Sequence, residues 1–121
     1  IAYAKIKNQR GEIVEPTPTS ISAAASGEIP PDTRCSITNS DAMGAYPIST
    51  FTWMIIYKEQ NYSDRSKEQA IATIELLEYL LSDEAQSITS EVHYAPLPAK
   101  AKELSMANLK GVTYNGVAII Q

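Results

Sequence analysis

From Phe51 to Tyr57 six of seven residues are apolar or aromatic, and the exception is the β-branched Thr52. A run this short, rich in Ile, Trp and Phe and closed by the polar Lys58-Glu59-Gln60, predicts a strand. It barely alternates, so both faces are expected to be covered, as in the middle of an α/β sheet. Pro47 upstream argues against a buried helix and holds Tyr46 extended, so Gly44-Ala45-Tyr46-Pro47 reads as a stiff crossover into that strand.

Upstream, Ala2, Ala4 and Ile6 alternate against Tyr3, Lys5 and Lys7, the pattern of a strand with one buried face. Asn8-Gln9-Arg10-Gly11 supplies turn residues, and Glu12 to Glu15 can return as the second arm of a hairpin. Pro16 and Pro18 stop the pairing, because neither donates to a ladder. Thr19 or Ser20 is then expected to cap a short helix through Ala25, with Gly27 placed to end it. Cys35 to Thr38 reads as a weak strand, and Asn39 to Gly44 as a turn-rich connection.

Downstream, Ser66-Lys67-Glu68-Gln69 fits a capping box. Ala70, Ile71, Ile74, Leu77 and Leu81 then recur at steps of three and four, predicting an amphipathic helix whose stripe covers Phe51 to Tyr57. Ser82-Asp83-Glu84 opens a further helix, since a Ser cap and two acids suit its positive N-terminus. Tyr94-Ala95-Pro96-Leu97-Pro98 ends it, and Pro98 can serve as the first residue of the next. The inner side of that helix is Ala101, Leu104 and Leu109, with Gly111 beyond its end. Asn115-Gly116 between two short apolar arms is a strong local hairpin signal.

The 121 residues, 44% of them hydrophobic, suffice for one compact domain. A net charge of −4 and the lack of a basic stripe exclude nucleic-acid binding through phosphate neutralisation. The longest apolar runs fall short of a transmembrane span. The chain opens on Ile1 in strand-like sequence, which reads as a piece cut from something longer, so the lack of a visible signal peptide says nothing about compartment. The single Cys35 can form no internal disulfide and reads as a structural thiol, although Arg34 beside it could lower its pKa.

No active site emerges from the residues. His93 is the only histidine, which excludes a His-based metal cluster, and a Cys35–His93 dyad would need long-range coincidence. Glu75, Glu78, Asp83, Glu84 and Glu91 fall on outward helix faces or at a helix start, where solvated charge is expected. Ser49 and Thr50, at the mouth of the predicted strand, are the best polar candidates for touching a ligand, against the plainer role of bonding local backbone. Five glycines are scattered singly, so no loop cradles phosphate. No catalytic residue, metal or cofactor is predicted, and without a nucleophile–base pair an enzyme such as a hydrolase is not expected.

Certain stretches carry a resemblance. Tyr3-Ala4-Lys5-Ile6, Ser20 to Ala25, Ser36-Ile37-Thr38-Asn39, Ala45 to Trp53, Tyr94 to Pro98 and Val112 to Gly116 resemble, in this order, the phosphate-specific substrate-binding protein of bacterial ABC transporters. The aromatic-Pro-Ile crossover into a Thr-Trp strand and the Tyr-Ala-Pro-Leu-Pro corner are the most specific parts. The resemblance implies an α/β chain, the C-terminal fragment of a two-lobed periplasmic-binding-protein fold of type II, its sheet flanked by helices. Residues 1–44 would end the second lobe, and residues 45–121 would return into the first.

It further implies an extracytoplasmic protein, periplasmic or anchored to the cell surface as a lipoprotein, that hands inorganic phosphate to an ABC transporter permease. The family's phosphate ligands come from a Gly-Ser-Thr-Phe loop, a Ser and an Asp further on, and an Arg-x-x-x-Ser-Gly-Thr motif. None of these is present here, so no ligand role is carried onto any residue. The competing expectation is a small self-associating or regulatory interaction module on the same scaffold. With the strand's neighbours missing, an open apolar edge would drive a homodimer unless the hairpin at Asn115-Gly116 folds across it.

Overall fold

A computed structural model describes residues 3–120. Helices α1 (Pro18–Ala24), α2 (Lys67–Leu81), α3 (Asp83–Ile88) and α4 (Ala99–Lys110) are joined by long loops and by two hairpins with arms of two residues. The first hairpin pairs β1 (Ile6–Lys7) with β2 (Ile13–Val14), and the second pairs β3 (Thr113–Tyr114) with β4 (Val117–Ala118). The chain is thus a small mixture of helices and short strands.

The helices follow local signals. Ser66 caps α2, its hydroxyl accepting from the Gln69 amide while the Gln69 side chain accepts from the Ser66 amide. Ser82 caps α3 through the Ala85 amide. Helix α1 starts earlier than expected. Thr17, not Thr19 or Ser20, is its cap, and Pro18 is its first residue, where a missing N–H costs nothing. Ser20 instead completes a capping box, accepting from the Thr17 amide. The helix closes at Ala25, before Gly27. Pro98 is the cap of α4 rather than its first residue. Asn115 and Gly116 take φ values of 52° and 75°, the left-handed pair that a two-residue hairpin turn requires.

The expected strands fare differently. Of the predicted strand from Ala2 to Lys7, Ala2 lies outside the described residues and only Ile6–Lys7 pair. Phe51 to Tyr57 forms no ladder with any described residue, and Ile55 is 92% exposed. A strand is defined by its partner, and no hairpin arm reaches this segment: the arms pair within their hairpins, and the other edge of β3 meets Lys58–Gln60 instead. The expected central sheet is therefore not formed. Cys35 to Thr38 also lacks a ladder; it is held by Thr38 Oγ1, which donates to the Ser49 carbonyl, and by the Asn39 amide, which donates to Pro47.

Two separate cores result. Ala24, Ala25, Ile37 and Ala45 form one, with Ala42 and Phe51 against it. Ile74, Leu77, Leu109 and Val112 form the other, flanked by Ile56, Leu81, Ile119 and Ile120. The stripe of α2 thus faces α4 and the C-terminal hairpin, and of the predicted strand only Ile56 joins that core. Nor does the hairpin close the open edge: β3 pairs in parallel with Lys58–Gln60, just past it, through Gln60 N to Thr113 O and Thr113 N to Lys58 O.

That junction is latched by the Glu59 carboxylate. It accepts from the backbone amides of Asn61 (2.9 Å), Gly116 (3.0 Å) and Asn115 (2.9 Å) and from Thr113 Oγ1 (2.8 Å). These donors, the Asn61 amide foremost, pull its pKa down to about 2. In the first hairpin, Asn8 is buried and Glu12 binds both its side-chain amide (2.8 Å) and the Gly44 amide (2.9 Å), fastening the hairpin to the crossover.

Two outcomes test this packing. Ile74 is 1% exposed, so Ile74→Ala is expected to cost about 2–5 kcal/mol in urea unfolding. The exposed Glu75→Ala should stay within about 0.5 kcal/mol, and comparable losses would show the wrong face turned inward. The Glu59 latch is fully present above the ordinary carboxylate value of 4.5 and is lost as pH falls from there toward about 2. Glu59→Gln should therefore flatten the fall in melting temperature across that window; an unchanged slope would remove Glu59 from the latch.

Candidate functional site

The crossover places both sequence-predicted ligand candidates. Ala45, Pro47 and Ser49 are buried, and the chain between them is tied down on several sides. The Tyr46 amide donates to the Ser20 carbonyl (2.9 Å), and Asn8 Nδ2 donates to the Ala45 carbonyl (3.2 Å). Ser49 Oγ donates to the Tyr46 carbonyl at 2.7 Å, turning its hydroxyl back into the crossover. Thr50 is exposed, and its Oγ1 donates to the neighbouring Phe51 carbonyl at 3.2 Å. Among the described residues both hydroxyls donate to local carbonyls.

The three arginines are each engaged at least in part by the chain's own acceptors, although Arg65 Nε is buried without a partner among the described residues. Arg10 Nη1 donates to the Asp41 carbonyl (3.3 Å), and Arg34 binds Asp32 through its backbone amide (3.1 Å) and its guanidinium (2.9 Å), which in that order hold the Asp32 carboxyl below its usual range. Arg65 lies over the Tyr62 ring, 5.6 Å from its centroid, and donates to the Gln69 carbonyl and to Thr73 Oγ1. Lys102 pairs with Asp83, lowering the Asp83 pKa. The Lys5–Glu15 pair raises the Lys5 pKa and braces the first hairpin.

Cys35 is half-buried in its loop, while His93 is exposed in a left-handed conformation after a 3-10 turn, Thr89–Val92. Among the described residues no three of His, Cys, Asp and Glu stand close enough to hold a metal ion. The feature sequence reasoning missed is a groove of about 1280 Å³, open to solvent. It is lined by the segment carrying Trp53, Met54 and Ile55, by Leu80 and Leu81 of α2 and by Leu109 of α4. Trp53 Nε1 donates to the Thr33 carbonyl across its rim (3.2 Å). Its signal was in the sequence: a strand-type run without a second run of similar length to pair with. Its lining is mixed, with Arg34 and Lys58 beside the apolar side chains.

No family model and no solved structure matches the chain. Among curated proteins it is 29% identical over 101 residues to the phosphate-binding protein PstS of Xylella fastidiosa strain Temecula1, covering 81% of this chain and 26% of that protein. PstS of strain 9a5c matches at 28% over the same coverage. A putative serine/threonine-protein kinase/receptor, R826 of Acanthamoeba polyphaga mimivirus, is 28% identical over 124 residues, 96% of this chain and 7% of that protein. No helix among the described residues is long and apolar enough to cross a membrane. The chain is distantly similar to PstS and spans about a quarter of the length of these phosphate-binding relatives.

Proposed function

We propose that this chain is a C-terminal portion of an extracytoplasmic solute-binding protein that captures inorganic phosphate for an ABC importer. The observation that carries this reading is the match to PstS along 81% of the chain. In this reading residues 1–44 end the second lobe of a type II binding protein and residues 45–121 return into the first. The parent is periplasmic or anchored at the cell surface, and its partner is the transporter permease. The protein binds and releases its solute without making or breaking a covalent bond.

Residues 1–121 contribute scaffold rather than ligand contacts. Oxyanions are held by converging backbone amides at helix starts and by arginine forks. Here Arg10, Arg34 and Arg65 are each engaged by the chain's own acceptors, and Ser49 and Thr50 bond local carbonyls. A net charge of −4 adds long-range repulsion toward phosphate.

A second reading draws on the mimivirus match, which extends along 96% of the chain inside a protein named as a kinase/receptor. On it, the same scaffold serves as a regulatory module without a solute. Titration calorimetry at low salt separates the readings. The isolated chain should give no saturable phosphate signal, and a longer parent chain should bind phosphate one to one. A parent that ignores phosphate would favour the regulatory module. A saturable one-to-one complex with residues 1–121 alone would mean that the ligands lie within this chain.

A further inference from the structure

Of the chain's asparagines, Asn115 alone is followed by glycine. Both residues are exposed, at the tip of the C-terminal hairpin. An Asn-Gly pair is chemically labile, because glycine has no side chain to keep its nitrogen away from the asparagine Cγ. Here that nitrogen is held. The Gly116 amide donates to Glu59 Oε2 (3.0 Å) and the Asn115 amide to Glu59 Oε1 (2.9 Å). Asn61 donates its backbone amide to Glu59 Oε1 (2.9 Å) and its Nδ2 to Asn115 Oδ1, so the Asn115 side chain and the Glu59 carboxylate meet on one residue.

We propose that Asn115 is a deamidation site gated by Glu59, and that its modification opens the latch between the C-terminal hairpin and Lys58–Gln60. The Gly116 nitrogen loses its proton and attacks Asn115 Cγ, closing a cyclic imide. The side-chain nitrogen takes up a proton and leaves as ammonia. Water then adds to either carbonyl of the imide and breaks its bond to nitrogen, giving aspartate or isoaspartate. Water is consumed and ammonia released, with no oxidant or reductant.

Glu59 opposes both requirements of the first step. A neighbouring carboxylate disfavours a second negative charge, so the Gly116 amide is harder to deprotonate beside it. Closure also needs rotation about the Asn115 Cα–C bond to bring Gly116 N onto Cγ, and the left-handed pair, at φ 52° and 75°, is pinned by the same two amide bonds. The reaction therefore runs from the fraction of molecules in which the latch is open. Its product does not close again. Isoaspartate routes the chain through Cβ, so adjacent amides no longer face one carboxylate. Either product also sets a new negative charge against Glu59 across Asn61. The inference rests on this hairpin alone and stands apart from the phosphate reading.

Mass spectrometry of the peptide holding Asn115, after incubation at mildly alkaline pH, measures the conversion. The folded wild-type chain is expected to deamidate at least about tenfold more slowly than the same chain unfolded in urea. Glu59→Gln keeps the shape but loses the charge and one acceptor oxygen, so it should speed the folded chain several-fold, and Glu59→Ala further. Glu12→Ala removes the carboxylate anchor of the other hairpin and should leave the rate within about twofold. If Glu59→Ala unfolds, Glu59→Gln still decides, because hydrogen exchange at the Gly116 amide should quicken together with deamidation. The isolated isoaspartyl form should melt below the parent. Equal rates for the folded and unfolded wild-type chain overturn the gate. So does a Glu59→Gln rate that is unchanged or lower, the latter marking Glu59 as the base, or an equal acceleration by Glu12→Ala. An isoaspartyl form that melts with the parent overturns the opening of the latch.

Discussion

The constraint that shapes this chain is that backbone N–H and C=O groups need partners, and strand-type residues can find them only on another strand. Phe51 to Tyr57 has the side chains of an inner strand, but the described residues offer it no neighbour. Its backbone therefore meets water and its side chains stay largely outside. Without a sheet to gather them, the helices close over two small clusters, one against α1 and one between α2 and α4. The loops between are held by single polar anchors such as Glu59, Asn8 and Glu12 rather than by ladders.

Features decided within a few residues were legible in the sequence. The Ser66–Gln69 capping box, the α2 stripe and the Asn115-Gly116 turn each depend on neighbours no more than about four positions away. The start of α1 was displaced because Pro18 was read only as a strand breaker, although the same missing N–H makes it a good first helical residue. The Phe51–Tyr57 strand was misplaced for a different reason. Apolar composition reports that a segment wants covering; it does not report that a covering element exists. The partner of the α2 stripe was equally non-local, and the structure supplies α4 and Val112 where the central strand was expected.

The candidate site was legible mainly as an inventory. Ser49 and Thr50 were identified as hydroxyls at a strand mouth, but which atoms they would bond depended on the path of the crossover. Glu59 was read as a polar strand terminator, yet it gathers donors from two loops, including Thr113, Asn115 and Gly116 more than fifty residues away. Such an anchor has no signature in its own neighbourhood. The groove is likewise a property of what the chain fails to place against α2.

Two clusters in place of one also bear on how the molecule comes apart. Each holds only four buried residues, and a segment without backbone pairing runs between them. Cooperativity in a small domain arises because every buried group leans on a shared core, and here that sharing is confined to Phe51 at one end of the segment and Ile56 at the other. With so little shared core, local opening of one cluster is expected to cost less than unfolding the whole chain, the polar links between the two regions being Asn108 Nδ2 to the Pro31 carbonyl and Ser22 Oγ to the Pro96 carbonyl.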